Sequence, residues 1–172
     1  KDGESVKEKL FLNQRSTISL GYIGLYEVGT VFYGANWESN PEAKEFTLEV
    51  LKRMKALALQ WSDEEGVWYS TYGTPSESLT DRFCKMDKEK FGSILDITDK
   101  DYYTNSFHYD VRKNPTPFEK IDFEKDYPVY ASGGFIHYCE YPNIKNNIKA
   151  LEDVWDYSYD KIGYFGTNTP ID

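Results

Sequence analysis

The stretch that most constrains this chain is a junction. Val67-Trp68-Tyr69 is an aromatic, strand-like run, and Ser70-Thr71-Tyr72-Gly73 carries it into Thr74-Pro75-Ser76-Glu77-Ser78 and the segment Leu79 to Cys84. Thr74 reads as an N-cap with Pro75 as the first helical residue, and Glu77 completes the pattern of a capping box. A strand that turns directly into a helix is the unit of α/β proteins, whose ligand sites gather where strands end and helices begin. The first helical turn offers N–H groups at the positive end of the helix dipole. The hydroxyls of Thr74, Ser76 and Ser78 cluster there, as an oxyanion or phosphate would require. From these residues alone two readings stand, a well-capped helix and an anion site, and the cap is the commoner use of the pattern.

The rest of the chain repeats the strand-to-helix theme. Thr17-Ile18-Ser19-Leu20-Gly21-Tyr22 alternates like a strand, and Leu25, Val28, Val31 and Phe32 follow at helical spacing. Gly21 and Gly24 at that junction suit either a close-lying ligand or tight packing. Asn40-Pro41-Glu42 opens the clearest helix, with Phe46, Val50, Met54, Leu57, Ala58 and Trp61 as its apolar face and Glu49/Arg53 as surface decoration. The helix after Thr74 is expected to run to about Lys88.

Between Phe91 and Tyr130 the pattern turns irregular. Asn114-Pro115-Thr116-Pro117 and Tyr127-Pro128 read as helix breakers in extended backbone. Tyr102 to Tyr109 has the composition of a polar pocket wall or of a satisfied buried network. Ser132-Gly133-Gly134 leads into a strand, Phe135 to Tyr141, on which His137 and Cys139 share one face and Tyr138 and Glu140 the other. This alternation disfavours a His137–Glu140 acid/base pair. It leaves His137 and Cys139 as thiol and base, as half a metal site, or as two neutral core residues, the last being the commonest use. Asn146-Asn147 caps a last helix carrying Ile148, Leu151, Trp155 and Tyr159 inward. Gly163 ends it, and Tyr164 to Thr167 starts another strand.

Charge and cysteine usage remove some functions. Asp and Glu outnumber Lys and Arg by 29 to 20, which argues against a broad grip on nucleic acid, because that affinity comes from cations on phosphates. A small anion needs only local donors. Cys84 and Cys139 lie far apart and form neither a zinc set nor a disulfide framework, which fits a reducing compartment. No apolar run suffices to cross a bilayer, so no membrane partner is expected. The chain opens on Lys1 rather than Met and is read as one segment, 1–172, with residues 1–15 as a polar lead-in.

Several stretches together resemble a known family. Gly21-Tyr22-Ile23-Gly24-Leu25-Tyr26-Glu27, Thr74 to Cys84, Thr104 to Lys120 around Thr104-Asn105-Ser106-Phe107-His108-Tyr109, Gly133-Gly134-Phe135-Ile136-His137-Tyr138-Cys139-Glu140-Tyr141-Pro142 and Gly166-Thr167-Asn168-Thr169-Pro170-Ile171-Asp172 are similar to the large subunit of anaerobic (class III) ribonucleoside-triphosphate reductases. The resemblance covers nearly everything beyond the lead-in. It implies the C-terminal part of a ten-stranded α/β barrel of the glycyl-radical type. It also implies a reaction that reduces ribonucleoside triphosphates to deoxyribonucleotides, with a glycyl radical, a cysteine thiyl and formate as reductant. The implied partners are a ribonucleoside triphosphate, a radical S-adenosylmethionine activating enzyme and a second copy in a homodimer, in the cytoplasm and with no nucleic acid. The family's glycyl-radical loop, structural zinc site, catalytic thiols and ATP/dNTP effector regions fall outside Lys1 to Asp172. No catalytic or metal residue is therefore assigned here, and Cys84 and Cys139 are read as structural.

What the resemblance does carry over is a phosphate turn, Thr74, Pro75, Ser76, Glu77 and Ser78, because related reductases hold substrate phosphates with a Pro/Ser/Thr-rich turn at a helix start. It tips the junction from cap to anion site. The competing readings are a stand-alone phosphate- or nucleotide-binding module without chemistry, and a carbohydrate-binding domain suggested by the Tyr and Trp content, which lacks the carboxylate pairing of a glycosidase.

Overall fold

A computed structural model describes residues 3, 5–12, 16–73, 75–141 and 144–168. Its strands run parallel in two pairs, β1 (Thr17–Gly21) with β2 (Trp68–Tyr72), and β3 (His137–Glu140) with β4 (Phe165–Asn168). The pairs meet where β2 ends and β3 begins. Gly73 and Phe135 form a parallel bridge, Gly73 N–H donates to the Gly134 carbonyl at 3.0 Å, and Gly133 N–H donates to the Thr71 carbonyl at 2.7 Å. Helix-bearing crossovers join successive strands, as parallel pairing requires, so the α/β expectation holds. A π-helical turn, Lys7–Phe11, lies within the lead-in.

The helices are α1 (Leu25–Tyr33), α2 (Pro41–Glu65), α3 (Ser78–Phe91), α4 (Pro117–Glu124) and α5 (Ile148–Ser158). Among the described residues none is long and apolar enough to cross a membrane. Helix α2 starts as its sequence predicts: the Asn40 side chain accepts from the N–H groups of Glu42 and Ala43, with Pro41 in the first turn. Its buried line, however, is Ala43, Thr47, Leu51, Ala58 and Ser62, flanked by half-buried Phe46, Val50 and Met54. Two hydroxyls explain the rotation. Thr47 bonds the Tyr127 hydroxyl at 2.9 Å, and Ser62 Oγ accepts the Tyr69 N–H at 2.8 Å, tying α2 to the following strand.

Three expectations are corrected. In α1 the residues turned inward are Leu25, Tyr26, Glu27, Gly29 and Thr30, while Val31 and Phe32 are 58 % and 67 % exposed. Helix α1 packs on α2 and Trp37 through Tyr26, whose ring lies 5.3 Å from the indole. In α5 the inward residues are Val154 and Ser158, with Trp155 and Tyr159 facing solvent, because the helix docks on α4 through the cluster of Ile121, Cys139, Tyr141 and Val154. The segment around Pro115 and Pro117 does not break helical structure but starts it. Thr116 and Glu119 form a reciprocal capping box with Pro117 in the first turn of α4. The main core joins α1, α2 and α4 through Tyr26, Trp37, Leu51, Phe107, Phe123 and Tyr127.

Candidate functional site

The candidate turn lies directly after the C-terminal end of β2. Thr74 is outside the described residues; Pro75, Glu77 and Ser78 are exposed and Ser76 is half-buried. Helix α3 begins at Ser78, later than the capping-box reading of Thr74 and Pro75 requires. Glu77 takes the N-cap position with φ 43°, a left-handed backbone that a helix interior does not admit, and no side chain caps the helix. The reason is tertiary. The Ser76 N–H donates to Asn105 Oδ1 at 2.8 Å, which holds Pro75 to Glu77 as a loop in front of the helix. Leu79 N–H then closes on the Ser76 carbonyl at 3.0 Å and Thr80 N–H on the Glu77 carbonyl at 3.2 Å. The Ser76 and Ser78 hydroxyls are thus carried at the positive end of α3, on the side of the sheet where parallel strands end.

Asn105 also lines a cavity of about 520 Å³ beside this turn. Its walls come from the loop between α3 and α4, from Lys120 of α4 and from Tyr138 and Glu140 of β3, the Lys120 ammonium lying 5.8 Å from the centre of the Tyr138 ring. Two buried charge clusters hold these walls. In the first, Glu27 of α1 accepts from Thr104 N–H at 3.0 Å and Thr104 Oγ1 at 2.7 Å and pairs with Lys100, which lies 3.5 Å from Asp110. Asp110 receives Arg112 Nη2 at 2.8 Å. Burial alone would raise the Asp110 carboxyl, but the Arg112 hydrogen bonds and the Lys100 charge outweigh it and hold it below its ordinary value.

The second cluster centres on Glu124, which is fully buried at the end of α4. It accepts the Tyr109 N–H at 2.8 Å, pairs with Lys120, and meets Nδ1 of His108 at 3.1 Å and Nδ1 of His137 at 2.6 Å. Burial opposes its ionisation, yet the electrostatic pull of His108 and Lys120 and the imidazole hydrogen bonds hold it well below the usual carboxylate range. An ionised carboxylate only accepts, so each ring meets it with a donor on Nδ1, and the Lys120 ammonium lies 3.4 Å from the same nitrogen of His108. His137 Nε2 faces Cys139 Sγ at 3.3 Å. His108 Nε2 is buried without a partner among the described residues, and burial pushes His108 below its ordinary value, toward the neutral form.

The structure settles several open alternatives. Thr104, Asn105, His108 and Tyr109 serve both as pocket wall and as buried network. His137 and Cys139 share one buried face, and the carboxylate that His137 meets is Glu124 of α4, not Glu140. Burial pushes the Cys139 thiol up to about 11. The buried Cys84 thiol is likewise raised and lies 3.3 Å from the Lys100 carbonyl. Both sulfurs are therefore protonated core groups. Among the described residues no three of His, Cys, Asp or Glu converge on a metal position, so the zinc implied by the resemblance has no fitting ligand set in them. Sequence reasoning missed Glu27, Lys100, Lys120 and Glu124. The last two are spaced i,i+4, a signal that counts only once α4 is recognised as a helix.

Comparison with known proteins agrees with this architecture. The family model described as anaerobic ribonucleoside-triphosphate reductase matches residues 2–172. The chain is 52 % identical over 165 residues to the anaerobic ribonucleoside-triphosphate reductase of Escherichia coli K12, covering 95 % of this chain and 23 % of that protein. It is 47 % identical over 164 residues to the corresponding protein of phage T4, covering 95 % of this chain and 26 % of the phage protein. It thus spans about a quarter of the length of the curated relatives it matches. A crystal structure of the Thermotoga maritima anaerobic ribonucleotide reductase with dATP bound in the specificity site shares the fold at a TM-score of 0.69 and 18 % identity, over 89 % of this chain and 26 % of that one. A match across residues 2–172, joined to half-identity with reductases of two bacterial and viral lineages, makes this chain a member of the anaerobic ribonucleoside-triphosphate reductase family.

Proposed function

We propose that this chain is the part of an anaerobic ribonucleoside-triphosphate reductase that supplies parallel barrel strands and the turn gripping the substrate's phosphates. The observation that carries the reading is the turn Pro75 to Ser78, open at the end of β2 and at the start of α3, within a chain that belongs to the family. In the whole protein the strands extend into a ten-stranded α/β barrel of which residues 1–172 form the C-terminal part. The enzyme is a cytoplasmic homodimer, activated by a radical S-adenosylmethionine partner and regulated by ATP and dNTP at sites elsewhere. A glycyl radical and formate supply the hydrogen-atom and electron chemistry from outside this chain.

What these residues do is bind and orient. The N–H groups of Glu77 and Ser78 and the Ser76 and Ser78 hydroxyls donate to phosphate oxygens, each hydrogen bond to a charged group contributing roughly 1.5–3 kcal/mol. The Ser76 N–H is itself taken by Asn105, a hold that keeps the loop from winding into the helix and leaves these other donors open to the ligand.

The test uses the full-length enzyme carrying this segment, with the dissociation constant of a ribonucleoside triphosphate and the melting temperature both measured. Ser78→Ala should weaken substrate by roughly 10- to 150-fold, and Ser76→Asp should do so through charge repulsion. Unchanged affinity in both variants would reduce the turn to a helix start.

A further inference from the structure

The first turn of α1 holds a residue of a distant loop. Every polar group of Thr104 is taken by that turn: its N–H donates to Glu27 Oε1 at 3.0 Å, its hydroxyl donates to the same oxygen at 2.7 Å, and its carbonyl accepts the Gly24 N–H at 2.7 Å. Gly24 reaches it as the N-cap of α1 with φ 74°, a left-handed backbone that glycine adopts without strain. Glu27 is 4 % exposed, and its Oε1 also pairs with Lys100. Its Oε2 has no partner among the described residues and lies 3.5 Å from where a Gly24 Cβ would stand. The carboxylate thus uses one oxygen, the one that meets Thr104. The residues on either side of Thr104 hold α3. Tyr103 donates its N–H to the Thr80 carbonyl at 3.1 Å and its hydroxyl to Asp87 Oδ2 at 2.9 Å. Asn105 accepts the Ser76 N–H at 2.8 Å and forms an antiparallel bridge with Ile23. Residues 103–105 therefore run as a strap from the start of α1 to the start of α3.

We propose that Glu27 is a positioning residue for the phosphate turn: through Thr104 it anchors the strap on which Asn105 sits, and the strap sets where α3 and its N-terminal donors begin. A binding group keeps its geometry only when the groups that support it are themselves held. The inference rests on the phosphate-turn reading for what the turn binds, and adds the side chain on α1 that fixes the turn's place. Glu27 touches no ligand itself. It does two separable things, pairing with the Lys100 charge and accepting from Thr104.

The experiment compares two double variants of the full-length enzyme, Glu27→Leu with Lys100→Met and Glu27→Gln with Lys100→Met. Both lose the buried ion pair, and only the second keeps an oxygen for Thr104. Binding of inorganic tripolyphosphate, the melting temperature, and hydrogen exchange across residues 76–80 without ligand are measured for each. The variant with Leu should exchange faster across those residues and bind tripolyphosphate about 3- to 10-fold more weakly than the wild type, the worth of one hydrogen bond. The variant with Gln should recover most of both. A carboxylate that only stabilises the fold predicts affinity and exchange that follow the melting temperature and do not differ between the two variants, and that result overturns the proposal. Should the variant with Leu fail to fold, Thr104→Val against Thr104→Ser decides, since only serine keeps the hydroxyl donor. The serine variant should bind tripolyphosphate more tightly, and equal affinity with equal exchange overturns the proposal. Exchange that differs between the variants while affinity does not, with Ser78→Ala also binding like the wild type, places the failure in the phosphate reading and leaves the strap standing. The same result with Ser78→Ala weakened overturns the proposal.

Discussion

Ser76 and Asn105, distant in sequence, are joined by a hydrogen bond of 2.8 Å from the backbone N–H of one to the side-chain oxygen of the other. It decides where α3 starts and links the turn to the cavity wall. Asn105→Ala should free the Ser76 amide, speed hydrogen exchange across residues 75–80 and weaken triphosphate binding by about 2- to 10-fold, the worth of one hydrogen bond. Unchanged exchange and affinity would show that the loop holds its shape without Asn105.

Glu124 is the node of the second cluster, so its removal should cost more than a surface change. Glu124→Gln leaves Lys120 without its charge partner in a buried site, and unpairing such an ion costs roughly 3–5 kcal/mol. The double variant with Lys120→Met should regain part of that loss, because no uncompensated charge remains. Thermal melts of the full-length protein read both. A single variant as stable as the parent would show that water reaches Lys120.

Stability should fall on acidification in two stages. His108 sits below its ordinary value of 6.5, so the unfolded chain takes up a proton first, and this contribution is lost as pH falls from about 6.5 through the folded value. Glu124 sits well below 4.5, so its contribution is present above about 4.5 and is lost below that, as pH falls through its folded value. Denaturant midpoints against pH should show both stages, and His108→Phe should shrink the first. An identical upper stage in that variant would assign it to other groups.

Gly133 tests the seam between the strand pairs. A Cβ there would lie 2.5 Å from Ser70 Oγ and 3.0 Å from the Thr71 carbonyl oxygen, so Gly133→Ala forces β2 and the 131–134 turn apart. Overpacking of this kind costs typically 1–3 kcal/mol. The expected outcome is a lower melting temperature, and an unshifted one would mean that the seam yields without strain.

An apolar groove between α1 and α3, with Val31, Phe32, Phe83 and Met86 all exposed, lies open in this segment. Residues 1–172 alone should therefore self-associate as concentration rises and should form no deoxynucleotide with activase, S-adenosylmethionine, formate and a ribonucleoside triphosphate. Sedimentation velocity and product analysis check the two halves. A monomer with a sharp, concentration-independent melt contradicts the first, and detectable product the second.

Two four-residue stretches separate what local sequence determined from what tertiary structure decided. Thr74-Pro75-Ser76-Glu77 and Thr116-Pro117-Phe118-Glu119 carry the same capping pattern. At Thr116 the box forms: Glu119 N–H donates to Thr116 Oγ1 at 3.3 Å, and the Thr116 N–H donates to the Glu119 carboxylate at 2.8 Å. Phe118 also seats edge-on against Tyr157 at 5.1 Å. At Ser76 the Asn105 side-chain oxygen takes the amide first, Glu77 adopts a positive φ, and the helix begins at Ser78. Where the determinants are neighbours along the chain, sequence alone sufficed: the place of strand β1, the Asn40-Pro41 start of α2, and the two faces of β3. The clusters of Glu27 with Lys100 and of Glu124 with His108 and His137 carry no such periodic signature. Their partners come from different elements, and only packing, by excluding water from those charges, makes their pairing obligatory.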